Sequence, residues 1–348
     1  MTATSQINFL RNLWYYAMPS DRLKPKQTVT KFLLNEPILF GRDRQGKAFA
    51  IQDACPHRAV PLSDGRFNGE EIECCYHGWR FNPQGQCTAI PCLTEEQTLD
   101  ISRFSVKSYP LSESQGNIWI YMSDKKNTVP QLPAPTIPLF SEGRYQMKTT
   151  MLFPCEYDQA VVGLMDPAHV PFVHRAWWWR ADPTLSEEIK AFDPSFYGFT
   201  MRRHKLEKTT LMYDLAGKDP EVEISFQLPG IRIEQLLTQQ NKICNLTVIT
   251  PLTAAETEVT TMFYTTLPWL KWFKPILIPL TRTFLDQDRQ MVIKQKTRLP
   301  YNPPMMLIKD ADTQARWYFR LKKEFQESQT AMRPFVNPVK EAVLRWRS

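Results

Sequence analysis

Residues 73–79 read ECCYHGW, two adjacent cysteines and one histidine within five positions. Cys74 gives a Cys-x2-His spacing to His77, whereas Cys75 gives Cys-x-His. A second pair upstream helps to decide. Cys55-Pro56-His57 is itself Cys-x-His, and sixteen residues lie between His57 and Cys74. With Cys74 the four residues make Cys-x-His…Cys-x2-His, two thiols and two imidazoles, with Pro56 and Gly78 marking tight turns.

Such a donor set suits a tetrahedral zinc or a [2Fe–2S] cluster in which two histidines replace two cysteines on one iron. Zinc fingers place two cysteines in one pair and two histidines in the other. Here each pair mixes the two types, so one iron can take both thiolates and the other both imidazoles, with two loops clamping the cluster. The string CPHR…CCYHGWRF resembles the Rieske family. In that family's spacing Cys74 is the ligand, and the resemblance implies that Cys55, His57, Cys74 and His77 hold a Rieske [2Fe–2S] cluster. Cys75 stands where many relatives have proline and reads as a small thiol without a metal role.

A chain of 348 residues exceeds what one core usually holds, so two domains are expected. At 43% hydrophobic and 12% aromatic residues it is globular rather than disordered. The N-terminal residues lack a charged region followed by an apolar run, so no signal peptide is expected. Seven cysteines, an odd number, do not suggest a disulfide framework. A reducing, cytoplasmic compartment is the expectation. The net charge is +7, but the basic residues are scattered without interleaved aromatics, which argues against a nucleic-acid partner. It is consistent with docking an acidic protein.

Residues 29–125 read as short strands punctuated by Gly46, Gly65, Gly69 and Gly85. Prolines 130, 133, 135 and 138 then mark a stiff connector. Expected boundaries are 1–125 for an all-β domain, 126–140 for the linker and 141–348 for an α+β domain. Within the last, 145–175 looks helical or irregular, 196–268 holds several long strands, and helical periodicity begins near 280.

Only five histidines occur in the chain, and two lie in GLMDPAHVPFVH as His169 and His174, with Asp166 three residues before the first. Four of the five therefore fall in two metal-like motifs. His204 reads as a surface residue. A five-residue step turns the rings about 140° apart on a regular helix, so Pro171 between them must break or kink it. Two neutral imidazoles need a carboxylate to complete the two-His, one-carboxylate triad of a non-haem Fe(II) site. FLDQDRQMV offers Asp286 and Asp288. The helical neighbours of Asp288 are Phe284, Leu285, Met291 and Val292, all apolar, whereas those of Asp286 are polar. A carboxylate on an apolar stripe is costly unless paired or metal-bound, which favours Asp288.

A Rieske motif followed by Asp-x2-His-x4-His resembles the oxygenase component of Rieske non-haem iron oxygenases, and MDPAHVPFVH is most similar to the pheophorbide a oxygenase branch. The resemblance implies a helix-grip second domain and a head-to-tail homotrimer. It also implies mononuclear Fe(II) at His169, His174 and Asp288, with Asp166 as the catalytic bridge between His169 and a neighbour's cluster at His77. Many relatives carry asparagine at the position of Gly163. The implied activity is hydroxylation or oxidative dealkylation of a hydrophobic, cyclic small molecule with O2. Electrons would come from a ferredoxin or flavin reductase. The alternative is a non-catalytic redox-sensing or electron-transfer protein. A carrier would need only the first ~110 residues.

Trp177, Trp178 and Trp179 follow the second motif and suit either a pocket for a large flat substrate or simple packing. Residues 267–285 are apolar but carry Lys271, Lys274 and Arg282 and prolines 268, 275 and 279. No clean membrane-spanning helix is expected there. Two roles suit the segment: a cover over the active site, or peripheral contact with a membrane.

Overall fold

Ten strands form between residues 13 and 122: β1 (Leu13–Pro19), β2 (Thr28–Leu33), β3 (Glu36–Arg42), β4 (Ala48–Gln52), β5 (Arg66–Phe67), β6 (Ile72–Glu73), β7 (Arg80–Phe81), β8 (Cys87–Ala89), β9 (Leu111–Ser114) and β10 (Asn117–Met122). The computed structural model describes residues 9–126, 128–174, 185–206 and 216–348. It divides into two units between Thr136 and Ile137, within the proline-rich stretch.

The first unit holds three antiparallel sheets, ordered β1-β10-β9, β2-β3-β4 and β5-β6-β7-β8. The runs LWYYAMP and NIWIYM are buried along their whole length, as strands covered on both faces must be. Trp14 and Tyr121 meet edge to face across this pair at 5.3 Å. A second core of Ile51, Leu62, Ile72 and Phe81 takes in Cys55 and Cys74, which anchors both cysteine loops.

The second unit is an eight-stranded antiparallel sheet with helices. Its strands are β11 (Met147–Phe153), β12 (Glu187–Ser195), β13 (Gly198–Lys205), β14 (Glu221–Gln227), β15 (Ile231–Leu237), β16 (Lys242–Thr253), β17 (Glu256–Thr265) and β18 (Ala342–Arg347). Their order is β11-β17-β16-β15-β14-β13-β12-β18. The helices are α1 (Tyr157–Met165), the single turn α2 (Val170–Val173), α3 (Leu270–Lys296) and α4 (Thr313–Thr330). Helix α4 lies on the sheet, with Trp317 5.5 Å from Phe192 and 5.1 Å from Phe199 between ring centres. Sheet and helices together make the α+β architecture expected for this half.

Three details differ from the sequence reading. Residues 147–153 form an edge strand rather than helix or loop, because pairing with β17 sets their conformation and lets the Thr150 and Thr260 hydroxyls meet at 3.0 Å. Helix α3 starts ten residues earlier than expected and runs through Pro275 and Pro279. Leu270 and Leu277 bury against Met147 and Leu267, and that packing offsets the ladder bonds the two prolines cannot make. The chain also ends on a strand, β18, whose Leu344 and Trp346 face inward. Trp177, Trp178 and Trp179 lie outside the described residues, as does the continuation of the 198–215 strand run beyond residue 206.

Candidate metal centres

Two loops with matching backbone bonds carry the first motif. The Cys55 amide donates to the Val60 carbonyl at 2.8 Å and Ala59 donates back to the Cys55 carbonyl at 2.8 Å. In the second loop Cys74 donates to Trp79 at 2.8 Å and Gly78 donates to Cys74 at 3.1 Å. Gly78 takes φ of 70° to close that turn, a conformation that costs glycine nothing. Cys55 and Cys74 are both 3% exposed, whereas Cys75 is exposed. The two thiols are neighbours, and the His57 and His77 rings stand 4.5 Å apart. Trp79 stacks flat on His57 at 4.9 Å.

Burial pushes the Cys55 thiol up to about 11, with Cys74 beside it adding to the rise. Such thiols ionise only when a cation takes them. His57 is held below the usual histidine range, first by partial desolvation and then by the charges of His77 and Arg58. A neutral imidazole is the form that ligates. Two core-anchored thiols and two neighbouring imidazoles on twin turns fit a [2Fe–2S] cluster with mixed ligation.

The second motif is built at the end of α1. Glu156 and Gln159 form a capping box that starts this helix. Asp158 fastens it to α4 by accepting from Tyr318 Oη at 2.6 Å and Lys322 Nζ at 2.6 Å. Pro167 then forces Asp166 into an extended conformation, φ −70° and ψ 115°, and α1 stops. Of the break or kink expected at Pro171, the structure shows a break, with no longer helix present to kink. Pro171 sits in the first turn of α2, where a proline is tolerated, and His169 and His174 are the two caps of that turn. One turn instead of a continuous helix lets the rings face each other.

The His169 and His174 Nε2 atoms lie 3.3 Å apart, and Asp288 Oδ1 on α3 is 3.4 Å from the first and 3.2 Å from the second. The centre of that triangle is about 1.9 Å from each corner, a spacing that would suit an ion with bonds of about 2.1 Å. The remaining ring nitrogens are occupied. His169 Nδ1 is 2.7 Å from the Asp166 carbonyl oxygen, and His174 Nδ1 is 3.0 Å from Gln287 Oε1. Both partners accept, so each Nδ1 donates to its partner and each Nε2 faces the triangle, where an ion would displace any proton it carries. Phe284 stacks on the His174 ring at 3.6 Å. Among the described residues these three are the cluster of donor atoms close enough to share one ion.

Electrostatics reinforce the grouping. Burial disfavours charge on His169, but the Asp166 and Asp288 carboxylates outweigh it and hold that ring up at about 9. Burial alone would raise Asp288, yet hydrogen bonding to His169 and His174 keeps it below the usual carboxylate range. Asp166 is lowered in the same way by His169 and by the Ala168 amide, which donates to Oδ1 at 2.8 Å. Asp286 stands apart, 3.0 Å from Arg289 and 3.4 Å from Gln290. His204 Nδ1 donates locally to the Arg202 carbonyl, 3.0 Å away. A Cβ at Gly163 would meet nothing within 4 Å. Gln287 escaped the sequence reading because its helical neighbours mix polar and apolar residues. Phe284 was visible only as part of an apolar stripe.

Comparison with known proteins agrees with both centres. The Rieske [2Fe-2S] domain matches residues 13–110, and the vanillate O-demethylase oxygenase C-terminal domain matches 153–323. Chlorophyllide a oxygenase of Chlamydomonas reinhardtii is 37% identical over 50% of this chain and 26% of its own length. The iron-sulfur subunit of the toluene-4-sulfonate monooxygenase system of Comamonas testosteroni is 34% identical over 48% of this chain and 47% of its own. The chain thus spans less than half the length of these curated relatives. Dicamba monooxygenase bound to dicamba superposes with a TM-score of 0.71 at 23% identity, over 93% of this chain and 99% of that one, which establishes the fold. With its [2Fe–2S] domain and its non-haem iron domain in this order, the chain belongs to the Rieske non-haem iron oxygenases.

Proposed function

We propose that the chain is a Rieske-type oxygenase that hydroxylates or oxidatively dealkylates a hydrophobic, cyclic small molecule with O2, at Fe(II) held by His169, His174 and Asp288. The observation that carries this reading is the triangle of two Nε2 atoms and one Oδ1 with sides of 3.2–3.4 Å. Cys55, His57, Cys74 and His77 are the ligands of the Rieske cluster in this proposal. When bound, the cluster supplies electrons and the ferrous ion binds and activates O2.

The chain's own residues do the rest. Two imidazoles and one carboxylate would hold the metal from one side of the triangle, the donor set of a non-haem Fe(II) site that keeps positions open for O2. The Asp166 carbonyl and Gln287 hold the rings in the ligating tautomer. The Asp166 carboxylate, 3.6 Å from His169 Nδ1, is the group that would bridge to His77 of the partner subunit in a head-to-tail homotrimer. An acidic ferredoxin or a flavin reductase is the electron donor that suits the +7 charge. Relatives named for chlorophyllide a, toluene-4-sulfonate and 4beta-methylsterol support a ring-bearing substrate. The location proposed is cytoplasmic, at the periphery of a membrane.

Metal analysis and turnover test the proposal together. The loaded protein should hold three irons per chain by the chemistry of the two donor sets. His169→Ala should lose one of them and all substrate-stimulated O2 uptake, while keeping the visible and EPR spectra of the cluster. Turnover surviving in His169→Ala, or two irons in the wild type, would overturn the assignment in favour of a redox-sensing or electron-transfer role.

A further inference from the structure

The first half of α3 presents an apolar face that the described residues leave uncovered. Trp272, Phe273, Ile276 and Ile278 are 74%, 48%, 59% and 36% exposed. On the opposite side Leu270 and Leu277 pack against Met147 and Leu267. With 3.6 residues per turn, Trp272, Phe273, Ile276 and Pro279 share one outward stripe. Lys271 and Arg282 run along its edge, and Lys271 Nζ stands 5.3 Å from the centre of the Trp272 ring. No Asp or Glu occurs anywhere between Glu258 and Asp286.

We propose that this face is a docking surface for an anionic lipid bilayer. The helix lies in the plane of the headgroups, with Trp272, Phe273 and Ile276 at the acyl boundary and Lys271 and Arg282 against the lipid phosphates. Charge favours lipid over a protein partner: two cations beside the stripe, with no carboxylate for 27 residues, complement an anionic surface. Size points the same way. The exposed apolar area is roughly 400 Å², about half of what each partner buries in a standard protein interface. A bilayer needs no shape complement and accepts a small convex face.

The prolines set the depth. Pro275 and Pro279 have no N–H, so two carbonyls one turn earlier lose their ladder partners. Such groups are costly in hydrocarbon but are satisfied by water among the headgroups. No helix among the described residues is long and apolar enough to cross a membrane, so an in-plane seat is the geometry left to this one. The assignment gives the peripheral location proposed above a surface and a lipid class, and it stands independently of the metal chemistry.

Co-sedimentation of the full, metal-loaded chain with vesicles tests it. Vesicles of equal parts phosphatidylcholine and phosphatidylglycerol should pull the chain down, pure phosphatidylcholine much less, and added salt should weaken the binding. The double variant Trp272→Glu/Ile276→Glu should bind about tenfold less or weaker still. Lys271→Ala/Arg282→Ala should lose roughly fivefold per charge. All four positions are exposed, so melting temperature, iron content and cluster spectrum should stay at wild-type values. The proposal fails if the chain ignores the mixed vesicles or if Trp272→Glu/Ile276→Glu binds them like wild type. It fails equally if that variant changes only the oligomeric mass by light scattering, which would identify a second copy as the occupant. Either failure with the three irons retained would leave the oxygenase reading untouched.

Discussion

Gln287 and Asp288 are consecutive on α3, yet they grip the same imidazole from its two ends. Gln287 Oε1 is 3.0 Å from His174 Nδ1 and Asp288 Oδ1 is 3.2 Å from His174 Nε2. One end fixes the tautomer and the other aims at the metal position. Removing an outer partner of a ligating histidine commonly costs 10–100-fold in metal affinity. Gln287→Leu should therefore weaken iron binding about 10–100-fold, while Gln287→Glu, which still accepts from Nδ1, stays near wild type. Iron titration followed by dialysis reads the difference. Equal affinities in the two variants would remove Gln287 from the site.

The two acidic candidates on α3 should separate cleanly. Asp288→Ala deletes one corner of the donor triangle and should abolish mononuclear iron binding and turnover. Asp286→Ala breaks only a half-buried contact with Arg289 and an exposed one with Gln290 and should change stability by no more than about 1 kcal/mol. Iron counting on both variants decides it, and a normal count in Asp288→Ala would reassign the carboxylate.

The neighbouring cysteines differ as sharply. Cys74 is buried in the cluster core beside Cys55, and Cys75 is exposed. Cys74→Ser should erase the visible absorption of the cluster, whereas Cys75→Ser should leave spectrum and midpoint potential where they were. A bleached Cys75→Ser protein would shift the register of the loop by one residue.

These contrasts also mark what the chain states locally and what it does not. Cys55, His57, Cys74 and His77 are legible because their loops close on themselves through short backbone bonds. Asp288 is legible because a carboxylate among Phe284, Leu285, Met291 and Val292 needs a partner. Strands β11 and β18 are not, because their partners β17 and β12 lie more than a hundred residues away and pairing alone selects their conformation. Helix α3 was misplaced for the opposite reason: its two prolines argue locally against a helix that burial of Leu270 and Leu277 sustains. The bond from Tyr318 and Lys322 to Asp158, which seats α1 and thus Asp166, joins positions whose relation no spacing reveals.

The first unit carries an acid-sensitive tie of its own. Glu36 accepts from Tyr109 Oη at 2.5 Å and pairs with Lys107 at 3.3 Å and with Arg11. Burial works to raise its pKa, but Tyr109 and the two cations outweigh this and hold it below the ordinary value of 4.5. A carboxyl with a depressed folded pKa contributes stability that is complete above its unfolded pKa. That contribution disappears as pH falls through the folded one. The protein should therefore keep this contribution at neutral pH and lose it progressively below about 4.5. Glu36→Gln, neutral at every pH, should cost about 1–3 kcal/mol near pH 7. Its melting temperature should also fall less steeply than that of the wild type between neutral pH and the acid limit. Thermal melts followed through the cluster absorbance across that range make the comparison. Parallel acid limbs in the two proteins would show that Glu36 does not set the acid sensitivity of this unit.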